Sequence, residues 1–310
     1  MKQKSKSKIR NKIKSYLPLY LMLMPGCIYM LINNYIPMAG LLLAFKRINY
    51  SIGAWKSPWV KFDNFEYLFK SNDAFIIFRN TIGYNLVFIV LGNLLAIAVA
   101  ILLNMVTRNH MRKVYQTLIL IPYLISTVIV SYIVFGFLSG GNGFINKTIL
   151  SALGQEGISW YTKAQYWPFI LTLVFLWKSF GYSSILYFAT IIGIDKSYYE
   201  AAMVDGATVW QQIKRITLPC LKPTIIILVL LQVGRICYSD FGLFYQVPMN
   251  SGMLYSTTNT IDTYVYRGLL ELNDLGRSTA AGFLQSILGF VLVITANQVV
   301  RKMEKDNALF

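Results

Sequence analysis

Six long apolar runs, near residues 16 to 35, 81 to 105, 114 to 138, 167 to 193, 224 to 247 and 280 to 300, constrain this chain more than any other feature. Each is roughly 20 to 27 residues, enough for a helix to cross a hydrocarbon core. Lipid offers backbone N–H and C=O groups no water, so runs of this length must satisfy them internally, as helices. The pattern predicts an all-α polytopic membrane protein with about six transmembrane helices. With only 14% of its 310 residues charged and 55% hydrophobic, the chain has too little charge to clothe a soluble domain of this size.

A net charge of +16 could suit nucleic acid, but the placement of the cations points to a membrane. If the N-terminus is cytoplasmic, the inner segments hold Lys2, Lys4, Lys6, Lys8, Arg10, Lys12 and Lys14, then Arg108, Arg112 and Lys113. Lys196, Lys214, Arg215 and Lys222 follow, and finally Arg301, Lys302 and Lys305. The outer segments hold fewer, offset by Asp63, Glu66, Asp73, Glu156, Asp262, Glu271 and Asp274. Cations on alternate loops are what the positive-inside rule requires, so both termini are read as cytoplasmic.

The organisation that follows has a basic cytoplasmic tail over 1–15, expected to be disordered at its tip, and a first transmembrane helix with an outer interfacial segment over 16–80. A core occupies 81–300, and a cytoplasmic tail 301–310. The first apolar run, Leu17 to Ile32, is longer than the roughly 7 to 15 residues of a signal-peptide core and lacks a small-residue cleavage site, so it is read as a span. Asn33-Asn34 and Pro37 mark its expected outer end. Trp55, Trp59, Phe62, Phe65, Tyr67 and Phe69 among charges then suggest an interfacial cap holding a short helix.

Catalytic chemistry finds little support. Cys27, Cys220 and Cys237 are scattered without CxxC spacing, His110 stands alone in a basic turn, and paired carboxylates, GxSxG and HExxH are absent. Leu138-Ser139-Gly140-Gly141-Asn142 is close to the LSGGQ signature of ABC ATPases, and Lys147-Thr148 ends a P-loop-like fragment. A P-loop needs GxxxxGK[ST] between a strand and a helix, and this segment falls on the outer face. Its glycines read as a turn. No catalytic residue, metal ligand or cofactor is expected on this chain.

The segment from Ile194 to Pro223 is different in kind. It is cytoplasmic by the charge pattern and reads as two short helices: Asp195 caps the first, which continues over Tyr198 to Val204, and Gly206 permits a sharp turn. A second piece runs from Thr208 to Ile216, and Thr217-Leu218-Pro219 is expected to end it. Met203, Val204, Trp210, Ile213 and Ile216 offer an apolar face, Ala201 and Ala202 allow close backbone approach, and Glu200, Lys214 and Arg215 can orient a partner.

Glu200-Ala201-Ala202, three residues, Gly206, nine residues, Ile216, one residue and Leu218-Pro219 together resemble the EAA loop of bacterial ABC importer permeases. NNYIPMAGLLLAFK, WVKFDNFEYLF, RKVYQTLILIPYLIS, WKSFGYSSILYFATIIGID and NTIDTYVYRGL extend the resemblance, over nearly the whole chain, to the polysaccharide and oligosaccharide (LplB-like) branch of the maltose-type group. The resemblance implies a MetI-like permease core of five helices with one additional N-terminal helix, in a bacterial cytoplasmic membrane. It implies a second permease subunit, an ATPase homodimer or pair that holds ATP and Mg and does the hydrolysis, an extracytoplasmic solute-binding protein and an oligosaccharide substrate. By carry-over, Glu200, Ala201, Ala202, Gly206, Ile216, Leu218 and Pro219 couple to the ATPase. This chain would then be no enzyme.

A substrate path is sought among polar residues inside spans, since an ionisable group at depth costs about 2.5 to 3.5 kcal/mol on insertion scales and tends to face a cavity or a partner. Lys178 and Tyr182 share a face of the fourth run, and Gln232, Arg235 and Ser239 fall at i, i+3 and i+7 in the fifth, a single polar stripe if that run is helical. Asp240 would stand about 140° from Arg235, too far round for an easy ion pair. Asn85, Asn93 and Asn104 are read as interhelical hydrogen bonders. Tyr132, Trp177, Tyr182 and Tyr238 could supply faces for sugar rings, and Lys178 with Arg235 suggests an acidic, uronate-containing cargo. Two other classes stay open here: a secondary transporter, against which no internal repeat is visible, and a membrane enzyme acting on lipid-linked sugars, for which Asp262, Glu271 and Asp274 lack a base or metal partner.

Overall fold

The computed structural model describes residues 2–70 and 72–303, with side chains over 16–70 and 72–302. Among these residues there is no strand beyond an isolated bridge between Lys46 and Trp59. Five helices are long and apolar enough to cross a membrane, or six if one bent pair counts as a span. The all-α polytopic expectation holds.

The first span, Tyr16–Phe45, is built from α1 (Lys2–Met30), a wide-turned segment Leu31–Tyr35, α2 (Ile36–Met38) and a tight-turned segment Ala39–Phe45. It runs through the Asn33-Asn34 pair and Pro37 where the sequence suggests an end. Asn33 Nδ2 donates to the Tyr29 carbonyl within the helix, and Pro37 falls in the first turn of α2, where its missing N–H is not needed. α1 begins at Lys2, in a head rich in Lys and free of Gly and Pro. Met1 and residues 304–310, including Lys305, lie outside the described residues. Residues 16–39 are exposed on every face, so this span is not buried by its own chain.

The expected interfacial helix is α3 (Asp63–Lys70), held by a ring cluster in which Phe45 meets Phe62, Phe65 and Phe283 at 5.3 to 5.7 Å. α4 (Asn72–Met105) begins nine residues before the apolar run does and packs along α7 (Trp167–Ile192) as the central pair. Ala96 and Ala100 on α4 admit Tyr187, Phe188 and Ile191 of α7, while nearer the outer end Phe88 and Phe175 stack at 3.8 Å.

The third run is not a single straight span. α5 (Asn109–Leu124) and α6 (Thr127–Leu138) meet at an 89° bend across Ile125 and Ser126. Pro122 removes one backbone donor near the end of α5, and Ile125 and Ser126 are extended, which frees the chain to turn. Gly181 lets α7 approach α5 closely: a Cβ there would sit 1.8 Å from the Ile119 carbonyl oxygen.

Beyond α7 come α8 (Lys196–Val204) and α9 (Val209–Gln212), then a wide-turned segment Ile213–Thr217 that merges into α10 (Leu218–Val233). Thr217-Leu218-Pro219 therefore does not end the helix. The Leu218 N–H reaches back five residues to the Ile213 carbonyl, and this expanded turn makes room for Pro219, which occupies the first turn of α10.

The fifth run also departs from expectation. α10 stops at Val233, residues 234–240 turn, and a separate α11 (Phe241–Gln246) follows. Asp240, rather than lying inside a long helix, caps α11 by accepting from the Leu243 N–H at 3.1 Å. An aspartate preceded by Gly234 and Ser239 offers the backbone this non-helical alternative, and the apolar count alone cannot reveal it. α12 (Tyr255–Thr258), α13 (Ile261–Leu270) and α14 (Leu275–Met303) complete the fold, the last beginning five residues before the expected span.

Candidate functional sites: an exposed elbow and a cavity between helices

Two features stand out, one between α7 and α10 in sequence and one among the middle turns of α4 and α7. The first is the elbow between α7 and α10. Asp195 caps α8 by accepting the Ser197 N–H at 2.9 Å, a bond that lowers the pKa of its carboxyl. Gly206 turns the chain at φ +75°, a backbone conformation costly to any residue with a Cβ. Thr208 and Gln211 then form a capping box that starts α9. Tyr199 and Thr217 share a hydroxyl hydrogen bond at 2.9 Å that ties α8 to the base of α10.

Of the residues expected to couple, Ala202, Gly206 and Ile216 line one cleft of about 320 Å³ with Asp205, Gln211 and Arg215. Glu200 and Ala201 are exposed on α8, Leu218 is half-buried, and Pro219 is exposed at the start of α10, outside the cleft. Met203, Val204 and Trp210 are 59%, 88% and 70% exposed, so the expected apolar face is largely uncovered, while Ile213 and Ile216 are half-buried. Tyr198 and Val209, not singled out from the sequence, extend that face.

The second feature is a cavity of about 450 Å³ between α4, α7 and α10, within the range of small-molecule sites. Gln232, Arg235 and Tyr182 meet there, with Asn85, Asn93 and the rings of Phe88, Phe175 and Tyr238. Gln232 and Arg235 share the cavity although the helical stripe does not exist, because the chain turns at 234–238. Asn85 holds that turn, donating from Nδ2 to the carbonyls of Ile236 and Tyr238, each at 2.9 Å. The Arg235 guanidinium meets no acceptor among the described residues. Tyr182 stacks on Tyr123 with ring centroids 4.7 Å apart.

Ser239 and Lys178 are placed outside the residues lining this cavity. The backbone N–H and hydroxyl of Ser239 both donate to Asp262 Oδ2, at 2.6 and 2.8 Å, and Gln285 donates to Oδ1 of the same carboxylate at 3.2 Å. Asp262 thereby satisfies a donor released where the helix breaks. The Lys178 ammonium donates to the Thr127 hydroxyl at the start of α6 and braces the bent pair. Asn93 bonds both α7 and α10, as an interhelical role requires, whereas Asn104 is exposed and makes no side-chain hydrogen bond among the described residues.

Helix α13 carries a buried cation that sequence reading missed. Arg267 donates to Asn250 Oδ1 at 2.9 Å, to Asn259 and to Thr263, and lies 4.1 Å over the Tyr255 ring. Burial lowers its pKa. Only the apolar neighbours Gly268 and Leu269 in the sequence hint that this arginine turns inward. Lys46, Arg47, Asp63, Asp274 and Arg277 line a polar cleft of about 490 Å³.

Residues 92–305 match the family described as binding-protein-dependent transport system inner membrane component. The chain is 35% identical to protein LplB of Bacillus subtilis (strain 168), covering 93% of this chain and 90% of that protein. It is 33% identical to the polygalacturonan/rhamnogalacturonan transport system permease protein YteP of the same organism, over 98% of this chain and 94% of that one. It superposes with a TM-score of 0.87 and 35% identity on a chain of a bacterial ABC transporter involved in the import of the acidic polysaccharide alginate, covering 96% and 99% of the two chains.

Proposed function

This chain belongs to the family of binding-protein-dependent transport system inner membrane components, and from that membership we propose that it is one of two permease subunits in an ATP-driven importer of acidic oligosaccharides. The observation that carries the coupling half is the elbow: Met203, Val204 and Trp210 stand uncovered beside Glu200 on a segment that is itself well capped and tied down. An ordered element with uncovered apolar knobs is suited to a partner's groove. We assign the groove to an ATPase pair that holds ATP and Mg, with Glu200, Ala201, Ala202, Gly206, Ile216, Leu218 and Pro219 as the coupling residues.

The cargo half rests on the cavity. Among the described residues Arg235 has no counter-ion, and it is set among aromatic rings whose faces suit the C–H faces of a pyranose. The acidic polysaccharide handled by the alginate transporter, and the polygalacturonan named for the second relative, support the same chemistry here. ATP drives such a subunit only if its two arrangements contact the ATPase differently. In this reading ATPase closure brings the two permeases' elbows together and opens the path outward, a loaded solute-binding protein delivers cargo to the outer segments 36–80, 139–166 and 248–279, and hydrolysis resets the pore inward. Both termini are then cytoplasmic.

Reconstitution of the chain with its second permease, ATPase and binding protein tests this. Accumulation of oligogalacturonate that requires internal ATP, and that fails in Gly206→Pro while the complex still inserts, is the expected result. Accumulation driven by an ion gradient without ATP would instead make the protein a secondary transporter.

A further inference from the structure

A chain of hydrogen bonds behind the cavity settles which way one amide points. Asn93 Nδ2 lies 2.6 Å from the Ile89 carbonyl oxygen, which can only accept, so the nitrogen and oxygen of this amide are assigned by chemistry. Asn93 Oδ1 then accepts the hydroxyl of Tyr187 at 2.5 Å, and Tyr187 is wholly buried. The second N–H of Asn93 Nδ2 goes to Gln232 at 2.6 Å. A donor at that place obliges Gln232 to answer with Oε1, which leaves its Nε2, with two N–H bonds, directed away from Asn93. No acceptor meets those N–H groups among the described residues, and both Gln232 and Arg235 line the cavity. Asn85 fixes the backbone of the turn that carries Arg235, and Asn93 fixes the Gln232 amide, both from α4.

We propose that Tyr187 and Asn93 are positioning residues that lock the Gln232 amide as a donor beside Arg235, so that the pair forms a clamp for the carboxylate of a uronate residue and selects cargo by charge. Without the lock, Gln232 could rotate about its last bond and offer Oε1, an acceptor that repels a carboxylate. The clamp rests on the importer reading above and adds to it the atoms that recognise the charge.

The test is saturation-transfer NMR on the complete complex in nanodiscs, without the binding protein, so that only the cavity discriminates. The probes are trigalacturonate and its methyl ester, which keeps the rings and erases the charge. Wild type is expected to prefer the acid. Gln232→Glu keeps an acceptor for Asn93 but faces the cargo with a carboxylate oxygen, and is expected to weaken the acid roughly ten- to hundredfold, the range of one charge-assisted hydrogen bond, while leaving the ester nearly unchanged. Asn93→Asp offers only acceptors, turns the Gln232 amide inward, and is expected to cause the same selective loss. Gln232→Met, which carries no charge and fills a similar volume, guards against misfolding and is expected to lose acid preference alone. Equal weakening of acid and ester in these variants, or a wild type indifferent to charge, would overturn the clamp and leave the importer intact. Binding of neither probe by a complex that hydrolyses ATP would overturn the clamp and the oligosaccharide reading together.

Discussion

The turn at 234–240 and the elbow at 194–217 both interrupt helical runs, yet they settle their accounts in opposite ways. At 234–240 the released polar groups find partners in the same chain: Asn85 takes the carbonyls of Ile236 and Tyr238, Asp262 takes Ser239, and Asp240 caps α11. The elbow also satisfies its backbone locally, through Asp195, Thr208 and Gln211, but leaves Met203, Val204 and Trp210 uncovered. A break whose polar groups are bonded inside the chain is a fixed wall. One that is internally ordered and still exposes large apolar side chains keeps an apolar surface that no other described part of the chain covers.

The contrast is sharpest in association. Val204→Asp combined with Trp210→Ala should cut co-purification of the ATPase by more than tenfold, since exposed apolar anchors of this kind carry about 2 kcal/mol or more each at interfaces. The melting temperature of the isolated permease in detergent should barely move, because neither side chain packs in its core; a large drop would mean that the elbow is an internal brace.

Asp262→Ala should do the reverse. It leaves the Ser239 N–H and the Gln285 amide without their acceptor and is expected to cost about 1 to 3 kcal/mol of stability, read from thermal unfolding, with ATPase association retained. Gly206→Ala is a smaller lesion. A Cβ at Gly206 meets nothing within 4 Å, so the penalty is the left-handed backbone alone, about 1 to 2 kcal/mol, and Gly206→Asn should cost less.

The smallest effect is in pH. The Asp195 carboxyl has its pKa lowered by the Ser197 bonds, so the stabilisation it gives α8 is fully present above its ordinary range and is lost as pH falls through the lowered folded value. Amide exchange at Ser197 should quicken relative to the rest of α8 in that acid window, and the dependence should vanish in Asp195→Ala.

The elbow was legible because its signals are local. A capping aspartate two residues before its donor, a glycine at a sharp turn and the EAA spacing all act within one or two helical turns. The cavity was legible only in part. Gln232, Arg235 and Tyr182 were named, but through a helical stripe that is absent, and Ser239 and Lys178 were grouped with them although they bond elsewhere. Neither the Ser239–Asp262 bond nor the Lys178–Thr127 bond leaves a mark in sequence spacing, because their partners lie 23 and 51 residues away.

Sequence alone therefore determined that this chain lives in a membrane, that its fold is built of long apolar helices and where the elbow between two of them lies. Those conclusions follow from the cost of unpaired backbone in lipid and from short-range capping, both written in consecutive residues. Tertiary structure alone decided where the third and fifth runs break, that Asn93 bonds Gln232, and that Arg235 lines a cavity with no counter-ion among the described residues. Each depends on a long-range hydrogen bond competing with the helix ladder, and the winner of that competition is fixed by which side chains the packed helices bring within reach.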